Sequence, residues 1–159
     1  MHVDEIPVAH TPAGGWGDVM PAPILAGCDD ALSSDAPDLR GTWRVVHAEH
    51  DGTPLPDVAP VWQHVERVEQ AADRVVITAA GIIHDMRADG TYERGVNDVM
   101  QTDYTTRIVV AASFDDGALV LRPQGVDDVE VRRWRDGADL MWQYGPFFTA
   151  RLERVDAPG

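Results

Sequence analysis

From Leu39 onward the apolar residues of this chain recur at every second position, in runs of about five to nine residues separated by turns built on Asp and Gly. Successive side chains of a strand point to opposite faces, so this period specifies strands with one buried face and leaves little room for helices. Thr42 to Glu49 alternates behind Gly41 and stops at Asp51-Gly52. His64 to Gln70 alternates again, setting Val65 against Glu66 and Val68 against Glu69. Arg74 to Thr78, Ile82 to Arg87, Thr91 to Met100 and Thr105 to Ser113 follow. Ala88-Asp89-Gly90 is the clearest hairpin signal among them, and Gly95 is a candidate bulge. Ala118 to Arg122, Val129 to Arg135, Asp139 to Tyr144 and Phe148 to Val155 complete nine or ten strands. One stretch competes: a helix between Val58 and Glu69 would bring Trp62, Val65 and Glu69 onto one face. Sequential strands without crossover helices imply antiparallel connections, in a sandwich or a closed barrel. Closure removes the edges that these strands do little to protect. The expected fold is all-β, an antiparallel up-and-down barrel of about eight to ten strands.

Residues 1–38 have a different texture, rich in Pro, Gly, Asp and Ala. Pro21 and Pro23 oppose both a continuous helix and a central strand. A disordered leader fits that composition. Trp16, Met20, Ile24 and Leu25 are costly to leave in water, however, which argues for a strap or lid packed on the main domain. The expected division is an irregular segment over 1–38 and a barrel domain over 39–156.

Charge excludes several classes of partner. Thirteen basic residues, all of them arginine, stand against 27 acidic ones, for a net charge of −14. A general nucleic-acid binder needs a basic footprint to displace counterions, and an anionic membrane surface would repel this chain. No run approaches the length of apolar sequence that a membrane span needs. The first twenty residues lack the basic start and apolar core of a secretory signal, so a cytoplasmic protein is expected. Cys28 is the only cysteine and makes neither an internal disulfide nor a thiolate zinc cluster. The histidines are scattered, and His47 and His50 would point to opposite faces of a strand, so no metal site is expected. Neither a nucleophile elbow nor a phosphate loop is present, and no cofactor is expected.

The segment Asp38-Leu39-Arg40-Gly41-Thr42-Trp43-Arg44-Val45 resembles the first-strand signature of the calycins, the superfamily of lipocalins and fatty-acid-binding proteins. The resemblance covers residues 38–155. It implies that Trp43 packs over the closed end of a barrel, behind Gly41, and that an arginine of the last strand, Arg151 or Arg154, lies across it. The nitrobindin branch is similar in size but continues its opening as Gly-x-Trp-x-Gly-x-Gly. Here the chain reads Gly41-Thr42-Trp43-Arg44-Val45-Val46-His47, so the resemblance does not carry heme binding with it.

A calycin-like barrel implies a cavity for a small hydrophobic or amphipathic organic molecule. Leu140, Trp142 and Tyr144 share one strand face, and if Val129 and Val131 face inward, so does Arg133. An arginine in an apolar cavity needs a carboxylate partner or an anionic ligand; the alternative is that Arg133 sits near the barrel mouth and meets water. Trp142, Tyr144, Arg133, Tyr92, Asn97 and His47 are the candidate ligand contacts. The alternative is a cofactor-independent isomerase, cyclase or hydratase in the same cavity. There His84 would move a proton, Asp85 or Asp98 would orient it, and Tyr104 would stabilise charge on a substrate oxygen. A third class, a protein-binding barrel, predicts an interior filled by its own side chains. Phe147 and Phe148 either close the barrel or mediate a dimer, leaving monomer and homodimer open.

Overall fold

The computed structural model describes residues 1–155, so the expected boundary at Asp156 lies outside the described residues. The strands are β1 (Gly41–His50), β2 (Thr53–Pro54), β3 (Val65–Ala71), β4 (Arg74–Ala79), β5 (Ile82–Arg87), β6 (Val96–Val99), β7 (Arg107–Asp115), β8 (Ala118–Pro123), β9 (Val131–Asp136), β10 (Asp139–Tyr144) and β11 (Phe148–Arg154). All ladders are antiparallel, in the order β5-β4-β3-β1-β11-β10-β9-β8-β7-β6, with β2 paired only to the end of β1. Because β1 joins β3 on one side and β11 on the other, the meander wraps into a nearly closed up-and-down barrel. Its seam runs between β5 and β6, where the Arg87 N–H reaches the Arg94 carbonyl at 2.7 Å. The stretch that competed as a helix is a short 3-10 turn, Pro60–Gln63, running into β3. No helix among the described residues is long and apolar enough to cross a membrane.

The expected hairpin at Ala88-Asp89-Gly90 is not one. Gly90 donates its N–H to the Ala112 carbonyl and Asp89 bridges Ser113, so this loop lies against β7 instead of pairing β5 with β6. The expected strand from Thr91 to Met100 shrinks to the four residues of β6. Gly95 precedes that strand and is no bulge within it. A Cβ there would collide with the Val110 carbonyl, so only glycine permits the approach.

The closed end of the barrel is built as the calycin resemblance implies. Trp43 is fully buried and donates its indole N–H to the Leu39 carbonyl at 3.0 Å. Arg154 supplies the covering guanidinium, 4.4 Å from the ring centroid, and anchors on the Arg40 carbonyl. A second guanidinium, Arg135, lies 5.3 Å from the same ring. Arg151 does not take part, because it faces outward and pairs with Asp136 and Asp139. Gly41 has φ +146°, and a Cβ there would strike the Arg154 guanidinium, which is held in place by its cation–π contact. Gly41→Ala is therefore expected to lose about 1–3 kcal/mol in urea unfolding. A variant as stable as wild type would show that Arg154 relocates freely.

The inward faces of β1 and β3–β11 form the main core, including Val45, Val68, Val75, Leu119, Leu140 and Leu152. A second core lies outside the wall. Val3 and Leu25 of the leader, flanked by Trp16 and Ile24, pack on Ala71, Val76 and Ile83. Strand β4 is consequently buried on both faces, which is why Arg74–Ala79 reads as a continuous run with little alternation.

Polar contacts fix the leader's course. Glu69 accepts the Ile24 and Leu25 N–H groups, Gln70 bonds the backbone of Leu39 and Pro37, and the Trp16 indole donates to the Ile82 carbonyl. Thr11 spans the seam, its hydroxyl on the Ile83 backbone of β5 and its N–H on Asp98 of β6. The leader lies along the outer wall.

Candidate functional site

The interior is not filled. It holds a cavity of about 390 Å³ with largely apolar walls, among them Ile77, Ile82, Met86, Ile108, Leu121 and Val131. No residue of the leader lines it. The segment is instead committed to the outer wall, by the second core and by hydrogen bonds to β3, β5 and β6.

One side of the cavity is polar. Arg133 projects inward from β9 and Glu66 from β3. The guanidinium makes a two-pronged contact, Nε to Oε2 at 2.9 Å and Nη2 to Oε1 at 3.0 Å. His64, just before β3, donates its Nε2–H to Glu66 Oε1 at 2.7 Å and stacks on Trp142 with ring centroids 4.4 Å apart. Arg133 lies 5.1 Å from the Trp142 ring as well. Burial alone would push the Glu66 carboxyl up. The Arg133 charge and the His64 hydrogen bond outweigh it and hold the group down at about 2. The knot is thus an ion pair that neutralises itself, capped by an imidazole and an indole.

His84 reaches the same cavity from β5. Its Nε2 lies 3.0 Å from the Val99 carbonyl across the seam. A carbonyl only accepts, so Nε2 carries the proton. Burial, with the Arg133 charge in support, pushes the imidazole below its ordinary range against the Val99 carbonyl and Asp98. A neutral ring protonated on Nε2 presents Nδ1 as a bare acceptor.

The cavity brings together four of the candidate residues, namely His84, Arg133, Trp142 and Tyr144. Tyr144 stands at the mouth, stacked on Phe148 at 5.6 Å, beside the exposed Phe147. The remaining candidates lie elsewhere. Asp85 follows His84 directly and so points to the outer face, where Arg74 holds it. Asp98 accepts the Val99 N–H on Oδ1 and the Thr11 N–H on Oδ2, with His10 at 3.5 Å, and makes no hydrogen bond to His84. Tyr104 takes φ +58° in the loop before β7 and donates its hydroxyl to the Ala80 carbonyl, packed on Gly15 and Gly81 outside the barrel. Asn97 bonds the Tyr92 carbonyl in the β5–β6 connection, and the Tyr92 side chain is exposed. A register shift in β1 between Val45 and His47 turns His47 outward, onto Glu49. The acid–base set of His84, Asp85 and Tyr104 is therefore not assembled.

Glu66 and His64 are the site residues that sequence reasoning missed. Setting Val65 against Glu66 and Val68 against Glu69 puts the two valines on different faces, which a strand with one buried face does not allow. Taking Val68 as the inward residue puts Glu66 and Gln70 inside with it, and that parity was available in the sequence.

No protein-family model matches the chain, and no curated protein matches it in sequence. A solved structure titled "Human cRBP IV" matches it with a TM-score of 0.56 at 14% identity, covering 74% of this chain and 98% of that one. At that identity the likeness shows the fold. This chain has the fold of a calycin-like antiparallel β-barrel. The two cavity histidines do not suit a heme bound through Nε2, since His64 gives that nitrogen to Glu66 and His84 gives it to Val99.

Proposed function

We propose that the protein binds a small, largely apolar organic molecule inside the barrel, with the polar group of that molecule turned toward His84 and Arg133. The observation that carries this reading is the unfilled interior of about 390 Å³, lined by aliphatic and aromatic side chains except on one polar side. Burial of the ligand's apolar surface supplies affinity, and one or two hydrogen bonds fix its orientation. Trp142, 95% buried and in contact with His64, Arg133 and Phe148, is placed to report occupancy by its fluorescence.

Titration with an uncharged, environment-sensitive dye is expected to give one site per chain and to perturb the Trp142 emission. Val110→Phe adds bulk to an inward position lining the cavity and is expected to weaken dye binding by at least about tenfold while the barrel stays folded. Unchanged affinity in a folded Val110→Phe protein would place the dye elsewhere and remove this reading.

A further inference from the structure

We propose that Glu66 sets the head-group selectivity of the cavity, so that the barrel accepts uncharged amphipaths ending in a hydroxyl and rejects the matching carboxylates. The inference rests on the ligand-binding reading above and specifies its ligand class.

An inward arginine in an apolar barrel is by itself a carboxylate receptor, because its planar fork matches two oxygens. In this chain one edge of that fork, Nε with Nη2, is already taken, and with it the arginine's charge is balanced. Glu66 occupies Nε and Nη2 from within the wall, fully buried, and its second contact, with His64, fixes the carboxylate in that position. A ligand carboxylate would bring a second negative charge beside Glu66, lose its own hydration, and find only the end-on Nη1 and Nη2 hydrogens of a guanidinium whose charge Glu66 already balances. His84 offers no compensation. Its one proton is committed to Val99, and burial disfavours a second. The chain's net charge of −14 adds a long-range barrier to anions.

A hydroxyl meets the opposite circumstances. It can accept from the Nη1–H of Arg133 and donate to Nδ1 of His84, neither of which has a protein partner among the described residues. His84 and Arg133 line the same cavity and lie close enough for the arginine charge to act on the imidazole. A carboxylate can make the first of these hydrogen bonds and not the second.

The test uses ligands of one chain length, decanol, decanoate and methyl decanoate, each displacing the uncharged dye near neutral pH. The wild-type protein is expected to bind decanol at least about tenfold more tightly than decanoate, with the uncharged ester also ahead of the acid. Glu66→Gln releases the arginine fork and is expected to raise decanoate affinity by at least about tenfold, to or beyond that of decanol. If Glu66→Gln does not fold, the wild-type order of ester and acid still decides. Decanoate bound as tightly as decanol and the ester by wild type would overturn the selectivity and leave the binding reading standing. Failure of the dye itself to enter the barrel would remove both.

Discussion

Asp85→Asn is expected to destabilise the protein by about 3–5 kcal/mol and to release residues 1–11 from the barrel wall. Arg74 and Asp85 sit on the outer faces of β4 and β5 with side chains only 2% exposed. Arg74 donates Nε to Oδ1 at 2.9 Å and Nη2 to Oδ2 at 2.6 Å. Its other donors go to the leader: Nη1 to the Val3 and Ile6 carbonyls, Nη2 to the Pro7 carbonyl. All five N–H groups are thereby used, and Asp85 Oδ2 also takes the Ala9 N–H. An amide at position 85 removes the counter-charge and turns an N–H₂ toward a guanidinium that has no water to turn to. Urea unfolding measures the loss, and amide exchange at Ala9 and Thr11 is expected to speed up before the barrel opens. Replacing both partners, Arg74→Met with Asp85→Leu, is expected to cost less in the barrel than the single change, because no buried charge is left alone. A single variant within about 1 kcal/mol of wild type would mean that the leader is not held by this pair.

The barrel was legible because its information is local. Period-two patterning and acidic glycine turns mark each strand, and β1, β3, β4, β5 and β7–β11 begin and end within about two residues of the runs read from sequence. The failure at Thr91–Met100 was also physical. Ala88-Asp89-Gly90 has hairpin chemistry, but its backbone pairs with β7, and the seam that results is a property of the closed barrel. The site was half legible. That Arg133 shares a face with Val131 was readable, and so was the need for a counter-charge if that face is inward; the period alone leaves open whether Arg133 meets water at the mouth instead. The counter-charge itself, Glu66, lies 67 residues away on β3, and its contact with β9 crosses the interior, so no pairing rule between neighbouring strands could name it. Asp85 was a different kind of miss. Adjacent strand residues face opposite ways, so Asp85 could never have oriented His84.

Acid is expected to unfold the wild-type protein along a slope that Glu66→Gln lacks. The Glu66 carboxyl is held at about 2 in the fold against an ordinary 4.5, so its folded pKa is depressed. The sign follows from that order. Above about pH 4.5 both states are ionised and the full contribution, about 3 kcal/mol, is present; it is lost as the pH falls through the interval down to about 2. Asp98 and Asp103 are also lowered, so wild-type stability falls in acid for more than one reason. The difference between wild type and Glu66→Gln, from urea unfolding at a series of pH values, isolates the buried carboxylate. That difference is expected to be largest near neutrality, where the variant leaves Arg133 buried without its partner, and to shrink by about 3 kcal/mol toward pH 2. A difference constant with pH would show that Glu66 does not carry its charge in the folded barrel. The same charge is what keeps the arginine fork closed to carboxylates. The proposed rejection of anions at neutral pH and the expected loss of stability below about pH 4.5 therefore both rest on one ionised, fully buried side chain.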